Sequence, residues 1–457
     1  MARKILFVTG RLAAPSLQGV LDNINNGAGA KGGFFCSLCE LPISVAALMI
    51  PSWALSHLER VQFQEKPDMI VMPGRCSGDI RIIEEAMNLP VVRGPEDLWD
   101  IPSFMGVEEA PYTLQVDPEG VKGTRIIAEI VDAWRMSPEA ILYKAEEYRR
   151  DGADYIDLGG SPDGGIPDIE QKVILLKDHD FLVAVDSFHR DTLIKASCAG
   201  ADMLLSINAS NLDLLDKINC PVVVIPDCDD PESKNDVISL DRNMDAVRRL
   251  GKTAIADPIL SPPLMGFVPS LCRFLEYRTL NPDTPMLMGA GNITELLEAD
   301  STGVNALLAV CLFEMGIDYV LTTEVASWTR GTIKEMSLAC SVMRTASGRG
   351  VLPRNLSKGL RPLKGQGSKY KIAQMQGMQA DITDENWRVF VAEDKICAFN
   401  REQFLSGDNI ETLFAEMQIK KPDHAFYIGK ELQKAAIALE LRRDYVQDHP
   451  ILWGVLS

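Results

Sequence analysis

The stretch Phe181-Leu-Val-Ala-Val-Asp-Ser-Phe-His189, continued by Ala201-Asp-Met-Leu-Leu-Ser-Ile-Asn208, decides the fold. Each half is a short aliphatic run of the kind a sheet buries on both faces. The segment between them, Arg190–Ala199, reads as a helix that stops at Gly200. Each strand delivers a polar group where it ends: Asp186 after the first, Ser206 and Asn208 after the second. A strand–helix–strand unit of this kind predicts parallel pairing.

Outward from this unit the same alternation runs from about residue 120 to 350. Strands are predicted at Thr124–Ile130, Tyr155–Leu158, Leu182–Val185, Met203–Ile207, Val222–Ile225, Thr253–Ala256, Met286–Met288 and Tyr319–Thr322. Helices are predicted between them, including Pro138–Arg150 (opened by Ser137), Ile169–Lys177, Leu240–Leu250, Val304–Met315 and Thr332–Met343. Gly152, Gly200, Gly251 and Gly316 stand where helices should stop. Eight such units in about 230 residues match a (β/α)8 TIM barrel, which typically takes ~250. A doubly wound open sheet is the alternative, and eight units without a topological break favour the barrel.

The flanks read differently. Residues 1–118 predict a small α/β domain, with strands Lys4–Thr9, Met69–Pro73 and Pro90–Arg93 and helices Ala54–Gln64 and Ile80–Met87. The turn Gly74–Gly78 before a helix could cradle an anion on backbone amides, although a plain tight turn is the simpler reading. Arg75, Arg81 and Arg93 near such turns are candidate phosphate donors. Residues 119–350 are the barrel. Residues 351–379, with Pro353, Pro362 and several glycines, predict a linker. Residues 380–457 predict a small α+β domain: a hairpin of Trp387–Ala392 and Lys395–Asn400, then a strand His424–Gly429 leading into a helix Lys430–Leu441. The aromatic tail Tyr445–Gly454 is expected to pack against another domain. The fold class is therefore α/β, a central (β/α)8 TIM barrel flanked by a small N-terminal α/β domain and a small C-terminal α+β domain.

The composition is that of a globular protein, with 457 residues, 46% hydrophobic and 24% charged. A net charge of −18 argues against nucleic acid, whose phosphates need a basic surface. No run approaches the ~18 apolar residues of a membrane span, and the apolar run after Met1-Ala-Arg-Lys4 is too short for a signal peptide. A cytoplasmic protein without nucleic-acid or membrane partners is expected. The ten cysteines are scattered in apolar runs, and Cys36 with Cys39 forms a lone CxxC that reads as buried thiols rather than a metal site.

In a barrel the site lies at the carboxyl-terminal rim, so the residues that follow each strand are informative. They are Glu129, Asp157, Asp186, Ser206 with Asn208, Asp227, Asp257, Asn292 and Glu324. Any one of them could be a turn or helix cap. Acceptors at every rim position are harder to explain that way. A cup of carboxylates and amides suits a neutral ligand rich in N–H donors, since a carboxylate can accept two parallel N–H bonds from an amino-pyrimidinone edge. Of the histidines only His189, three residues past Asp186, is near the rim.

Four stretches at suitable spacing resemble the pterin-binding barrel of dihydropteroate synthases and methyltetrahydrofolate methyltransferases: Tyr155-Ile-Asp-Leu-Gly-Gly160, Val183-Ala-Val-Asp-Ser187, Gly200-Ala-Asp-Met-Leu-Leu-Ser-Ile-Asn208 and Ala254-Ile-Ala-Asp-Pro258. The whole layout more closely resembles the dihydropteroate synthase-related proteins associated with tetrahydromethanopterin biosynthesis. The resemblance implies that Asp186 and Asp257 hold a pterin ring, with Asn208, or Ser206 in a shifted register, near the contacting amide. Asp157 matches the acid of the second-strand motif. Met288-Gly-Ala-Gly-Asn-Ile-Thr294 lacks the Ser-Arg-Lys motif of synthases and is nearer the Ser-Asn turn of the methyltransferases, with Asn292 in the Asn position. Leu321-Thr-Thr-Glu324 lacks their Arg-x-His pair, so a diphosphate would need other donors, such as Arg330 and Lys334. Glu129 stands where synthases usually carry an asparagine near the diphosphate and a metal, a difference that counts against magnesium, so no metal ligand is assigned and magnesium is the one cofactor left open.

The implied reaction joins a dihydropterin-methyl diphosphate to an arylamine, a ribofuranosylaminobenzene phosphate in that pathway, with release of diphosphate. The alternatives are a pterin-dependent methyltransferase, which would need a cobalamin-carrying partner, and a non-catalytic pterin-binding subunit. Barrels of this superfamily commonly form homodimers.

Overall fold

The computed structural model describes residues 2–26, 33–63, 65–107, 123–161, 165–227, 236–354, 356–357, 359–361, 368, 370–443, 445–451 and 453. Its centre is an eight-stranded sheet built from β5 (Arg125–Ile130), β6 (Tyr155–Gly159), β7 (Leu182–Asp186), β8 (Met203–Ile207), β9 (Val222–Val224), β10 (Ala254–Ala256), β11 (Leu287–Gly289) and β12 (Tyr319–Thr323). The order is β10-β9-β8-β7-β6-β5-β12-β11, with every pair parallel. A parallel bridge between Ala256 and Met286 joins the two end strands, so the sheet closes into the expected barrel.

Around it lie α5 (Pro138–Arg150), α6 (Ile169–Asp178), α7 (Arg190–Cys198), α8 (Asp236–Arg249), α9 (Phe267–Leu280), the short α10 (Gly291–Thr294), α11 (Ser301–Glu314) and α12 (Thr332–Arg349). The fourth unit departs from the pattern: β8 is followed by the 3-10 segment Leu212–Lys217 rather than an α-helix. Ser137 caps α5 as expected, its hydroxyl accepting from Ala140 N at 3.3 Å.

Strand alternation sorts the side chains into two cores. Ile126, Ile156, Val183 and Val185 face the helices. Ile127, Tyr155, Ala184, Val223, Ile255 and Leu287 fill the barrel interior. Because successive strand residues point to opposite faces, Glu129, Asp157, Asp186 and Asp257 share the interior parity, each two residues beyond one of these apolar residues. The acids therefore form the next layer up, at the carboxyl-terminal mouth.

The N-terminal unit is a four-stranded parallel sheet of order β2-β1-β3-β4, from β1 (Arg3–Gly10), β2 (Phe34–Leu41), β3 (Met69–Met72) and β4 (Val91–Arg93). Its helices are α1 (Ala14–Ile24), α2 (Pro51–Leu58), α3 (Arg81–Met87) and α4 (Ile101–Phe104). Strand β2 was not foreseen, because Phe34-Phe-Cys-Ser-Leu-Cys-Glu-Leu41 carries neither a clean alternation nor a continuous β-branched run. It also explains the CxxC. Cys36 packs on the α1 side of the sheet and Cys39 on the α2 side, so the two thiols face apart and are buried separately. Helix α2 begins at Pro51 and ends at Leu58, ahead of the expected Ala54–Gln64 span, as Arg60 N and Val61 N tighten onto His57 O and Leu58 O.

The C-terminal unit is an antiparallel sheet β13-β14-β15 of Arg388–Ala392, Lys395–Phe399 and Phe404–Gly407. The expected hairpin is present, with Glu393 and Asp394 at positive φ in its turn. The expected strand His424–Gly429 is instead the beginning of α15 (Pro422–Glu440). Pro422 opens the helix, and Ile428, Leu432, Ala435 and Ala438 recur at helical spacing to form its buried face. Helix α13 (Ile372–Ala380) lies in the segment read as linker, and α14 (Ile410–Glu416) follows β15. Among the described residues the aromatic tail packs within its own unit rather than against another: Tyr445 and Ile451 join the core of α15, and Tyr445 donates to Glu431 Oε2 at 2.9 Å. Among the described residues, no helix is long and apolar enough to cross a membrane.

Candidate functional site

Carboxylate oxygens of Glu129, Asp157 and Asp186 lie within 4.8 Å of one another at the barrel mouth. The parallel register explains the meeting: Glu129 pairs with Asp157 across β5 and β6, and Asp186 pairs with Gly159 across β6 and β7. Asp157 is fully buried, and among the described residues neither of its carboxylate oxygens has a well-formed hydrogen bond, the backbone amides of Asp186 and Leu158 being its nearest donors. A buried carboxylate left in that state is costly. Asp257, at the end of β10, adds a fourth acid that feels Asp186, and its Oδ1 accepts from Ile259 N at 2.8 Å.

Crowding and burial push all four acids upward. Burial raises Glu129 to about 7, with Asp186 and Glu295 adding repulsion. Burial raises Asp257 to about 7 against the Ile259 N–H, and burial raises Asp186 to about 6. Asp157 is held well above the usual carboxylate range by burial, then by Asp186 and Glu129, with backbone amides of Asp186 and Leu158 countering only in part. Like charges at this spacing cannot all ionise without a counter-charge or a donor-rich ligand.

Among the described residues, Arg273 is the one cation that bears on this cluster, through Asp257. Its guanidinium already donates to Pro258 O at 3.2 Å, Ile259 O at 2.7 Å and Ser261 Oγ at 3.2 Å. The cup is thus acidic, partly protonated near neutrality, and rich in acceptors. Glu129, Asp157 and Asp186 each offer one hard oxygen ligand, a donor set that fits Mg2+ or a similar divalent cation.

The remaining sequence candidates have mostly structural partners. Asn208 Oδ1 accepts from Ser210 N at 3.0 Å and from Ser210 Oγ at 2.6 Å, closing a turn. The carbonyl of Ser206 accepts from Asn211 Nδ2 at 3.1 Å. Asn292 Nδ2 donates to Leu260 O at 2.7 Å, tying the turn after β11 to the loop after β10. Asp227 is bound by Arg242, by Asn243 Nδ2 at 2.9 Å and by Ala209 N at 3.1 Å. His189 is exposed at the start of α7 and its Nδ1 meets Thr192 Oγ1 at 3.1 Å. Glu324 Oε1 accepts from Ile333 N at 3.1 Å, so its carboxylate caps α12. Arg330 and Lys334 are exposed beside that helix start. Arg75 pairs with Glu96 at 3.0 Å, Arg81 with Asp79 at 2.6 Å, and Arg93 donates to Gly78 O, so these three arginines close contacts within the N-terminal sheet.

Two residues escaped the sequence reading. Glu295 lies beside Glu129 and accepts from Val325 N at 2.9 Å, Ala326 N at 2.8 Å and Thr329 Oγ1 at 2.9 Å, which staples the loop after β12 to the turn after β11. Its position just past Asn292 was the available signal. Lys172 is buried and donates to Ala133 O at 2.9 Å, bracing the turn after β5 from α6, and nothing in its helical context marks it.

Residues 3–96 match a family model described as a family of unknown function (DUF6513), and residues 392–448 match one described as PterinBD-DUF4346. The uncharacterized protein MJ0107 of Methanocaldococcus jannaschii is 26% identical over 525 residues, spanning 97% of this chain and 98% of its own. A 7,8-dihydropteroate synthase structure from Vibrio fischeri is 17% identical with a TM-score of 0.40, covering 50% of this chain and 94% of its own. The synthase of Burkholderia cenocepacia complexed with 7,8-dihydropteroate is 17% identical with a TM-score of 0.40, covering 49% of this chain and 91% of its own. A Xanthomonas albilineans dihydropteroate synthase complex is 18% identical with a TM-score of 0.41, covering 50% of this chain and 94% of its own. The barrel itself rests on the strand order and on the bridge between Ala256 and Met286.

Proposed function

We propose that the barrel mouth binds a pterin and that the chain is a dihydropteroate synthase-like transferase of one-carbon carrier biosynthesis. The observation that carries this is the acid layer of Glu129, Asp157, Asp186 and Asp257, whose raised pKa values, with Arg273 the one cation bearing on them among the described residues, call for a ligand rich in N–H donors. The amino-pyrimidinone edge of a pterin supplies such donors, and Asp186 and Asp257 accept them. The motif resemblance points to the same two residues.

In this reaction the bond between the pterin methylene and the diphosphate oxygen breaks, and a bond from the arylamine nitrogen to that methylene forms. The carboxylates stabilise positive charge developing on the pterin methylene as diphosphate departs. Glu129, with a carboxyl near 7, is matched to take the proton that the arylamine nitrogen sheds. A divalent cation held by Glu129, Asp157 and Asp186 would supply countercharge to the leaving diphosphate, and Glu129 would then be its ligand rather than the proton acceptor. For the tetrahydromethanopterin pathway the amine is a ribofuranosylaminobenzene phosphate.

One observation favours a second reading. The first turn of α12, a natural place for diphosphate at this end of a barrel, already receives the Glu324 carboxylate at Ile333 N. A pterin-dependent methyltransferase working with a cobalamin-carrying partner, or a non-catalytic pterin-binding subunit, needs no diphosphate there. Diphosphate release from a dihydropterin-methyl diphosphate, measured with and without the arylamine, separates them. Release that depends on both substrates supports the transferase; none, alongside intact pterin binding, sinks it.

A further inference from the structure

The N-terminal sheet runs β2-β1-β3-β4 with all strands parallel, so the strand order reverses direction between β1 and β3. Open α/β sheets bind ligands at the carboxyl ends of the strands where that reversal occurs. A cavity of ≈ 270 Å³ opens at this point. Its walls are the end of β1, the start of α1, the turns after β3 and β4, and Leu352 with Arg354 from beyond the last barrel helix. We propose that this cavity binds a small phosphate monoester with a flat apolar body.

Three observations point to an anion at one end. Helix α1 has 11 residues, a proline in its first turn, no acidic residue there and no side-chain cap. Arg11 N, Leu12 N and Ala13 N donate to Ile43 O, Ser44 O and Gly10 O, whereas Ala14 N and Ser16 N have no backbone acceptor among the described residues. Such amides at a positive helix terminus are anion donors. Independently, Thr9 lines the cavity and is only 3% exposed, and among the described residues its hydroxyl has no hydrogen-bond partner. Strand parity directs it with Phe7 toward α1. Arg354, exposed and without an ion pair among the described residues, stands at the rim.

These donors outnumber the two oxygens of a carboxylate and suit the three terminal oxygens of a phosphate. The other end is apolar: Phe7, Leu17, Val71, Leu98 and Ile101 form one wall and Leu352 another. The turn between them is shaped to stay bare, since a Cβ on Gly74 would come within 2.5 Å of the Pro95 carbonyl. The Gly74–Gly78 turn is not the anion site, because the Asp79 carboxylate accepts from Arg81 N at 3.0 Å and holds the start of α3. The cavity is separate from the barrel acids, and its occupancy stands apart from the barrel's reaction.

Isothermal titration of the full-length protein with phenyl phosphate, inorganic phosphate and phenol tests the proposal. Phenyl phosphate should bind, inorganic phosphate should bind about tenfold more weakly, and phenol should give no signal. Thr9→Val should weaken phenyl phosphate by about tenfold. Arg354→Ala, at an exposed position where the fold is not at stake, should also weaken it. No binding of phenyl phosphate at millimolar concentration overturns the proposal, as does equal affinity in both variants or equal affinity for inorganic phosphate.

Discussion

Gly159 lies directly against Glu129: a Cβ at position 159 would stand 2.8 Å from Glu129 Oε1 and 2.9 Å from the Val131 carbonyl. The bare backbone at the end of β6 is what lets Glu129 lean across toward Asp157 and Asp186. Gly159→Ala should therefore push the Glu129 carboxylate out of the cluster or splay the strand ends. We expect a stability loss of about 1 kcal/mol and a drop of about tenfold in affinity for a barrel-mouth ligand. Unchanged affinity in a folded Gly159→Ala protein would separate Glu129 from the site.

The acid layer predicts an unusual pH dependence. Carboxyls in the unfolded chain titrate near ~4, whereas in the fold Asp257 and Glu129 titrate at about 7 and Asp186 at about 6. The folded state thus holds extra protons in that window. The resulting stabilisation is complete below the unfolded value and is lost as pH rises through the folded values. Asp79 and Asp384, held low by their arginine partners, act only at lower pH and do not offset it. The ligand-free protein should lose on the order of 2 kcal/mol between pH ~5 and ~8, and Asp257→Asn should flatten the profile. Thermal melts across that range check it, and a melting temperature that rises toward pH ~8 would contradict it.

A divalent cation should reverse that loss. Mg2+ or Mn2+ at millimolar concentration should raise the melting temperature at pH ~8 and do little at pH ~5, because protons compete for the same oxygens. Asp157→Asn should abolish the cation effect while raising the stability of the ligand-free protein, since it removes a buried acid with no well-formed hydrogen bond among the described residues. Insensitivity of the wild-type melt to both cation and chelator would show that the three acids do not hold a metal.

Away from the mouth, Glu335 ties α11 to α12. Its carboxylate accepts from Ser301 Oγ at 2.6 Å, from Asn305 Nδ2 at 2.9 Å and from Thr302 Oγ1, and it is only 3% exposed. Glu335→Ala strands three donors in the interior and should cost about 3 kcal/mol, read as denaturant midpoint, with pterin affinity unchanged below the transition. A shift in pterin affinity would mean that α12 couples to the mouth.

The barrel was legible in the sequence because a buried parallel sheet writes itself as short aliphatic runs, each closed by a polar residue and a helix. Asp157, Asp186 and Asp257 could be picked out by that rule alone. Their convergence with Glu129 could not, since it depends on parallel register across β5, β6 and β7. Asn208, Asn292, Asp227 and Glu324 show the limit of the rule: the same residue types at the same strand ends serve as turn caps, braces and helix caps. Strand β2 escaped because an irregular apolar segment has no decisive period, and His424–Gly429, of which only Ile428 is buried, is too short an apolar run to show the helical period that Leu432, Ala435 and Ala438 complete.

Titration of 6-hydroxymethylpterin into the full-length protein at neutral pH, followed by calorimetry, tests the central claim most directly. One pterin per chain should bind, and Asp186→Asn and Asp257→Asn should each weaken it by about a hundredfold while leaving the protein folded. A wild-type protein that gives no binding heat, or variants that bind as well as wild type, would contradict a pterin site at the barrel mouth.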